Sequence, residues 1–437
     1  MRAPGDAGIA GSRRVAVVGG GVAGLSAALH LRLGGAEVVV LERHRTGAGA
    51  SSGNAGWICP TQAGPLPEPG LATYGLRALL DRDSPLYVDP RHLPRLAPWL
   101  VRFARNCAPA RHRRGVVALE ALGRRAFGAV ADLEPLGFRP ELHRLGLLVA
   151  SRDPAVTQAF LDGLEAFRAR DATIPTVPLT GEAVRELEPA LSSAVRAAAV
   201  IRRHWHVRPD SYMSSLAAVA TAHGVQITED APVLRFATRG GAVTHVETPG
   251  GDVEADAVVL ATGARLGTDT RMLGVALPVE AGKGYSFSVA LDPVPSHAVL
   301  FAEPHVGCSP LTTGVRLAGT MEFSGVNDRL VPGRIEAMQR GVRPLLSSWD
   351  EGSVAGEWTG MRPIAPDGLP IVGRLPGSAN VYVSGAYSML GMTLALPAAE
   401  ALAELVLTGR RPEVLAPFDA ARFARRAASA ARARAAS

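Results

Sequence analysis

The chain has 437 residues, of which 47% are hydrophobic, 5% aromatic and 20% charged. This balance is typical of globular proteins and excludes a disordered or collagen-like chain, and at roughly 100–200 residues per domain we expect two or three domains. The formal net charge is +6, but residues 421–437 carry five arginines and no acidic residue, so the rest of the chain is close to neutral. Nucleic acid is therefore not an expected partner.

Cysteine usage and hydropathy indicate the compartment. Cys59, Cys107 and Cys308 are widely spaced and odd in number, which favours neither a disulfide framework nor a metal site. The first twelve residues lack the apolar core of a signal peptide, and we find no run of 18 or more apolar residues. We expect a soluble cytoplasmic protein, at most peripheral on the inner face of the membrane. Residues 1–12 and 421–437 are predicted to be flexible tails.

The chain begins with a complete βαβ unit. Apolar strands are predicted over residues 15–18 and 37–42, on either side of an alanine- and leucine-rich helix over 23–33. Residues 47–70 are dense in Gly, Ser and Pro and predict a long loop of the kind that is usually functional.

Later elements alternate between helical and strand patterns. Residues 71–170 are predicted to be mainly helical, notably over 93–103 and 116–133, with a strand at 145–150. A β-meander is predicted over 233–263 and ends in a buried strand at 257–260. Strands of a separate sheet follow over 276–330, then a helix over 331–350, glycine-rich loops, a strand and a last helix.

A glycine motif occupies the turn between the first strand and the first helix. Gly19, Gly21 and Gly24 have the spacing in which the first glycine allows a tight turn, the second admits a pyrophosphate and the third packs the helix on the strand. Glu42 ends the second strand and can accept hydrogen bonds from both ribose hydroxyls, which disfavours a 2′-phosphate. The motif predicts FAD or NAD, and the alternative is a glycine turn without a ligand.

Several further motifs carry a family resemblance. They are Gly-Ala-Ser-Ser-Gly-Asn-Ala-Gly-Trp at 49–57, Ala-Thr-Gly at 261–263, Lys-Gly-Tyr-Ser at 283–286, the segment 358–373 and the segment 382–395. Over residues 13–424 the chain resembles the D-amino-acid dehydrogenases, within the D-amino-acid oxidase and glycine oxidase family of flavoproteins.

The resemblance implies an α/β fold with two domains. One is a glutathione-reductase-like, FAD-binding Rossmann domain, and the other is a substrate domain built on a mixed, mostly antiparallel sheet. The expected boundaries are 13–75, 205–275 and 357–420 for the FAD domain, and 76–204 and 276–356 for the substrate domain.

The resemblance also implies which residues contact FAD. No histidine lies in the segment 52–55, where relatives with covalent flavin often have one, so noncovalent FAD is expected. The positions that match the family's cofactor contacts are Gly19, Gly21, Val22, Ala23, Gly24, Glu42, Arg43, Ser51, Ser52, Asn54, Ala55, Gly56, Val233, Ala261, Thr262, Gly263, Gly360, Gly385, Leu390, Gly391, Met392 and Thr393. Gly391 to Thr393 open a helix whose N-terminus would stabilise the negative charge of reduced flavin.

Arg362 matches the family's carboxylate-binding arginine. A planar guanidinium can hold an amino-acid carboxylate bidentately and so fix the α-hydrogen over flavin N5. The alternative is a structural ion pair. Tyr285 would be a second carboxylate or amine contact, although a core tyrosine is the alternative, and Lys283 is left open between solvent, flavin and substrate.

The activity implied is oxidation of a D-amino acid, or of an imino or N-substituted amino acid, to the imine and then the 2-oxo acid. The hydride goes to flavin N5, the electron acceptor is O2 or a quinone, and no protein base is required if the free amine binds. The alternatives are a pathway-specific amine or imino-acid oxidase or dehydrogenase of the same fold, and a non-catalytic flavin-binding subunit.

The chain departs from the family at Gly385-Ala386-Tyr387, where relatives usually have Gly-His-Gly. We expect Tyr387 to lie over the flavin as a third residue of the catalytic site. Its ring would then favour cyclic or N-substituted amino acids over D-alanine.

Two other features have structural alternatives that we prefer. His204 and His206 could meet a metal on a strand face, but no third ligand is evident, and no metal is expected. The helical segment 93–103 could be a membrane-surface face, and an ordinary core or dimer face is the favoured alternative.

Overall fold

The computed structural model describes residues 13–71, 75 and 84–423. The predicted tail over 1–12 and residues 424–437 of the predicted tail over 421–437 lie outside the described residues. Residues 421–423 form a helical turn rather than a tail, because Arg422 donates from Nε to Asp367 Oδ2 at 2.8 Å. The chain is therefore anchored as far as Phe423.

The first sheet contains the predicted βαβ unit. Its order, within the described residues, is Gln226–Thr228, Glu37–Leu41, Arg14–Val18, Ala257–Leu260, Val381–Gly385 and Ile371–Arg374. The first five strands are parallel and the last pairs antiparallel with its neighbour. This parallel arrangement is typical of dinucleotide-binding domains.

Both faces of this sheet are covered, which explains its continuous apolar strands. Val15 and Val17 pack against the helices Val22–Leu33 and Gly391–Thr408, whereas Ala16 and Val18 face the β-meander. The meander has the strands Arg235–Arg239, Ala242–Thr248 and Gly251–Glu254, so the prediction for residues 233–263 is confirmed.

The second large sheet is mixed and mostly antiparallel, as expected for a substrate domain. Its order in the described part of the chain is Ala355–Ile364, Glu280–Val289, Gly314–Phe323, Val306–Leu311, Ala298–Phe301, Leu147–Ser151, Ala197–Ile201 and Leu179–Thr180, and Leu86–Val88 pairs with Gly314–Phe323. Among the strands of this sheet that the structure describes, only Ala298–Phe301 with Leu147–Ser151, and Leu86–Val88 with its partner, are parallel.

The strand Ala355–Ile364 corrects the predicted boundary at residue 357. It pairs with Glu280–Val289 from Glu280↔Ile364 to Ser288↔Ala355, so it belongs to the second sheet rather than to the first domain. The sequence predicted glycine-rich loops here, because Gly356, Gly360 and Pro363 have low strand propensity and mask the pattern.

A small antiparallel sheet joins the two halves of the molecule. It contains Trp57–Ile58, Trp205–Val207 and Leu142–His143. Trp57 and Leu142 fall in different predicted domains, so the sheet fixes the loop after the first βαβ unit to the substrate side.

The described helices are Val22–Leu33, Leu93–Asn106, Pro109–Gly123, Ala126–Ala131, Pro154–Gly163, Glu165–Arg168, Glu182–Leu187, Pro209–Ala222, Leu266–Met272, Pro332–Val342 and Gly391–Thr408. Trp99 and Leu96 are buried against Phe323, so the inner side of Leu93–Asn106 belongs to the core. In the described part of the chain one helix, Gly391–Thr408, is long and apolar enough to cross a membrane, and most of it is buried inside the protein.

Candidate active site

The glycine motif forms a tight cradle between the first strand and helix. Gly19 has φ +108°, and a Cβ built on it would lie 2.5 Å from the Ala261 carbonyl oxygen. A Cβ on Gly24 would lie 1.8 Å from the Gly19 carbonyl oxygen, so only glycine lets the helix start this close to the strand. Gly21, the residue before the helix, has only Ser51 Oγ near its missing Cβ, at 3.2 Å.

Glu42 lies beside the glycine cradle and is hydrogen-bonded to it. Its carboxylate accepts from the Gly20 backbone N–H at 2.7 Å and from the His44 N–H at 3.0 Å. Both bonds fix the carboxylate at the carboxyl edge of the parallel sheet, where it lines the central cavity together with Arg43 and Val233. This is the place at which ligands bind in doubly wound folds.

The loop over residues 51–57 is held by the second sheet. Ser286 Oγ donates to the Gly53 carbonyl and Ser309 Oγ to the Ala55 carbonyl, each at 2.7 Å. Asn54 closes the loop from within, because its Oδ1 accepts from the Gly56 N–H at 2.7 Å. The substrate-side sheet therefore determines the shape of the cofactor-side loop.

The helix Gly391–Thr408 starts at the same cavity. Thr393 Oγ1 accepts from the Cys59 N–H at 3.0 Å and so ties the first turn to the loop after Trp57. Gly391 and Met392 line the cavity, and backbone N–H groups in a first helical turn have no intrahelical acceptor. These donors and the helix dipole favour negative charge at this end of the cavity.

One cavity of about 1940 Å³ joins these parts. The predicted site residues that line it are Gly19, Gly21, Val22, Ala23, Glu42, Arg43, Ser51, Asn54, Ala55, Gly56, Val233, Ala261, Thr262, Gly263, Gly360, Gly385, Leu390, Gly391, Met392, Thr393, Arg362 and Tyr387. The structure does not place Gly24, Ser52 or Tyr285 in the lining. Gly24 acts through packing, and the Ser52 carbonyl accepts from Arg316 Nη1 at 3.1 Å.

Arg362 brings a positive charge into this cavity. Its Nη1 donates to the Thr320 carbonyl at 2.7 Å and lies 3.9 Å from Met321 Sδ. Among residues 13–71, 75 and 84–423, no carboxylate oxygen lies within 4.0 Å of the guanidinium. Burial lowers the pKa of Arg362 to about 10, because a desolvated cation is disfavoured. The alternative of a structural ion pair is therefore not supported, because Arg362 has no carboxylate partner among the described residues.

Two residues that the sequence did not single out support the guanidinium. Gly284 lies under it, since a Cβ built there would come within 2.3 Å of Arg362 Nη1. Thr320 has φ +64°, a strained conformation for a β-branched residue, and its carbonyl accepts the hydrogen bond from Arg362. A glycine beside a predicted site tyrosine was the available signal for Gly284, whereas no local pattern indicates Thr320.

Trp358 is a further missed residue of the lining. A Cβ on Gly53 or on Gly360 would come within 2.1 Å of its ring, so the indole lies between the two glycines. In the sequence only Gly360, two residues after Trp358, was a local signal, because Gly53 is distant along the chain.

Tyr285 and Lys283 lie in a buried network instead of the cavity. Tyr285 is 1% exposed and donates to Glu322 Oε2 at 2.7 Å, and Lys283 is fully buried with its Nζ 3.0 Å from Glu322 Oε1. Burial and the bond to Glu322 raise the pKa of Tyr285. Successive residues of a strand point to opposite faces, so the neighbour of Gly284 faces away from Arg362.

Tyr387 lines the cavity with little of its surface. The side chain is 4% exposed, its hydroxyl shares a hydrogen bond with Ser384 Oγ at 2.9 Å, and burial raises its pKa. Ala386, with φ +56°, is fully buried and does not line the cavity. Contrary to the prediction, the ring offers a substrate little surface, so the geometry gives no support to a preference for cyclic amines.

The two histidines of residues 204–206 are structural in this fold. His206 Nε2 donates to the Pro310 carbonyl at 3.0 Å, and His204 Nε2 contacts Thr61 Oγ1. Burial lowers the pKa of His206 to about 4 and that of His204 to about 3. No group of three or more His, Cys, Asp or Glu side chains in the described residues could hold a metal ion.

The residues present fit FAD. The glycine cradle admits a pyrophosphate at a helix N-terminus, and Glu42 is placed for a ribose. A second helix N-terminus lies beside the first in the same cavity, since a Cβ built on Gly391 would be 3.5 Å from Val22 Cγ1. The fold and the site together define a dinucleotide-binding oxidoreductase.

Comparison with known proteins gives the family. The chain matches the DAO family of FAD dependent oxidoreductases over residues 14–405 and belongs to it. It is 32% identical over 409 residues to the D-amino acid dehydrogenase of Cereibacter sphaeroides, covering 92% of this chain and 93% of that protein. It is 33% identical over 417 residues to the D-amino acid dehydrogenase of Methylobacterium radiotolerans, with 92% and 97% covered.

A solved structure supports the fold. The glycine oxidase from Bacillus cereus matches with a TM-score of 0.71 and 19% identity, covering 92% of this chain and 97% of that one. The predicted family, the fold class and the FAD cofactor are thus confirmed.

Proposed function

We propose that this enzyme oxidises the amine of an amino acid whose carboxylate binds to Arg362. The observation that carries this proposal is the Arg362 guanidinium, which enters the cofactor cavity without a carboxylate partner in the part of the chain that the structure describes. Its curated relatives named D-amino acid dehydrogenase favour a D-amino acid as the substrate. The non-catalytic alternative has no comparable use for a half-buried cation that has no carboxylate partner among the described residues.

Different residues of the chain would bind the cofactor and the substrate. Gly21, Val22 and Glu42 would hold the pyrophosphate and ribose, and the first turn of Gly391–Thr408 would face the flavin. FAD, when bound, supplies the two-electron acceptor for the Cα–H bond of the substrate. Because FAD accepts the two electrons, the residues of the protein have to bind the substrate and orient it.

Arg362 performs this orientation. A carboxylate held by two parallel N–H···O bonds fixes both the position and the rotation of the amino acid. Thr320 and Gly284 fix the guanidinium in turn, because one accepts a hydrogen bond from it and the other leaves room beneath it. The free amine needs no protein base before oxidation, and water converts the imine to the 2-oxo acid and ammonia.

The test is anaerobic mixing of the FAD-loaded enzyme with a panel of D-, L- and N-substituted amino acids and with the matching amines that lack a carboxylate. We expect D-amino acids to bleach the visible absorbance of the flavin, while the amines that lack the carboxylate do not. Failure of every amino acid to reduce the flavin would refute the proposal.

The electron acceptor follows from a second step of the same experiment. The name of the relatives favours a dehydrogenase, for which the reduced flavin would be reoxidised slowly by air and rapidly by a soluble quinone. Rapid reoxidation by air would identify an oxidase. A cytoplasmic location, with peripheral membrane attachment as the alternative, remains the accompanying prediction.

A further inference from the structure

We infer that the enzyme selects amino acids with a large apolar or aromatic side chain, which binds in a hydrophobic compartment next to Arg362. This inference rests on the proposed function, because it places the carboxylate of the same substrate on Arg362. The compartment is the part of the cavity lined by Leu66, Leu86, Leu100, Phe103, Met321 and Phe323. We refer to it as the apolar compartment.

Met321 connects the apolar compartment to Arg362. Its Sδ lies 3.9 Å from Arg362 Nη1, and a Cβ built on Gly282 would lie 2.3 Å from the same sulfur. Gly282 is the register partner of Arg362 in the adjacent strand. The thioether therefore covers this strand pair beside the guanidinium, and a substrate anchored by its carboxylate has Met321 within reach.

The strand Leu86–Val88 extends the wall from Met321. Leu86 pairs with Met321 and Val88 pairs with Phe323, both in parallel register. Met321 and Leu86 are half-buried, so part of each side chain is left for contact with a ligand, whereas Val88 and Phe323 pack deeper.

The helix Leu93–Asn106 completes the compartment with aromatic rings. Trp99 packs on Phe323 with ring centroids 5.5 Å apart and on Phe103 with centroids 5.1 Å apart. Trp99 Nε1 donates to the Pro278 carbonyl at 3.2 Å, which fixes the indole in the core. Phe103 and Leu100 are half-buried and line the cavity. Trp99 therefore packs the wall against the core, while Phe103 and Leu100 keep part of their surface accessible from the cavity.

The chemistry of this wall decides which side chains it accepts. None of the six lining side chains is charged, and the only heteroatom among them is the thioether of Met321. A charged or hydroxylated substrate side chain would lose water there without gaining a partner. A leucine- or phenylalanine-sized side chain would bury apolar surface and gain affinity. The neighbouring acidic residues of the lining, Glu68 and Asp328, are exposed residues, and desolvation raises the pKa of Glu68.

The experiment compares flavin reduction by two sets of D-amino acids under anaerobic conditions. The first set is D-phenylalanine, D-leucine and D-methionine, and the second is D-alanine, D-serine and D-aspartate. We expect the second-order rate constant of reduction to be roughly tenfold or more higher for the first set. Equal or faster reduction by the second set would overturn this inference and leave the proposed function intact. No reduction by any D- or L-amino acid would overturn both.

Two variants locate the effect. Phe103→Ala and Leu100→Ala should each lower the ratio of the rate constants for D-phenylalanine and D-alanine by about threefold or more, because apolar contact area is lost. Val117→Ala is the matched control, since Val117 is 65% exposed on the next helix and does not line this cavity. FAD content and the midpoint of urea unfolding verify that each variant folds. An unchanged ratio in both compartment variants would overturn the assignment.

Discussion

Gly284 and Arg362 lie on adjacent antiparallel strands in such close contact that a Cβ on Gly284 would come within 2.3 Å of Arg362 Nη1 and 2.5 Å of Cζ. The position of the guanidinium in the cavity therefore depends on the absence of a side chain at Gly284 on the adjacent strand. This dependence makes Gly284 a positioning residue for the substrate carboxylate, although it has no functional group.

Gly284→Ala should displace the Arg362 guanidinium and lower kcat/KM by about 10- to 100-fold, since misplacing a positioned group by about 1 Å has effects of this size. FAD content should stay unchanged, because Gly284 does not line the cavity. Steady-state kinetics with a D-amino acid tests this. Gly333→Ala is the matched control, since a Cβ there meets nothing within 4 Å. Equal kinetics for both variants would show that the close contact has no role.

Noncovalent binding of FAD is a second expectation, since the segment 52–55 offers no histidine for attachment. Acid precipitation should release the yellow cofactor into the supernatant, where chromatography identifies it as FAD. A flavin that stays with the precipitated protein would contradict the prediction.

Glu42→Ala should weaken FAD binding by about 1–3 kcal/mol, through loss of a charged acceptor and of its bonds to the Gly20 and His44 amides. Titration of the apoprotein with FAD measures the change. Glu229→Ala is a suitable control, because Glu229 also accepts from a backbone N–H, that of Thr46, but does not line the cavity. Equal losses of FAD affinity in the two variants would mean that Glu42 acts only through the fold.

The βαβ unit and its cradle could be predicted from the sequence because the glycine spacing is local and its geometry recurs. Arg362 could be predicted only through the family resemblance. The contacts that position it come from Thr320 and Gly284, which lie 42 and 78 residues before it, so no periodicity connects them. The position of Tyr285 outside the cavity could have been predicted locally. Successive residues of a strand point to opposite faces, so Tyr285 faces away from the side on which Gly284 contacts Arg362.

Stability should fall on acidification because of His204 and His206. Burial lowers the folded-state pKa values to about 3 and about 4, while the ordinary value is 6.5. Between the folded-state and ordinary pKa values the unfolded chain binds the proton and the folded chain does not. The contribution of each histidine to stability is therefore complete above pH 6.5 and is lost as pH falls toward 4 for His206 and toward 3 for His204. The free energy of unfolding should drop by up to about 1.4 kcal/mol per pH unit for each group.

Urea unfolding at neutral pH and at about pH 5 measures this slope. His206→Gln should reduce it, because an uncharged amide takes up no proton in either state. An identical slope in the variant would show that other groups cause the acid sensitivity.

The most direct test of the account is the rate of flavin reduction by Arg362→Lys under anaerobic conditions. Lysine keeps the positive charge and loses the planar pair of donors, so it cannot hold a carboxylate bidentately. With FAD content and the unfolding midpoint equal to those of the unmodified enzyme, kcat/KM for a D-amino acid should fall roughly 10- to 150-fold. An Arg362→Lys enzyme that reduces its flavin with unchanged kcat/KM would contradict the binding of the substrate carboxylate by Arg362.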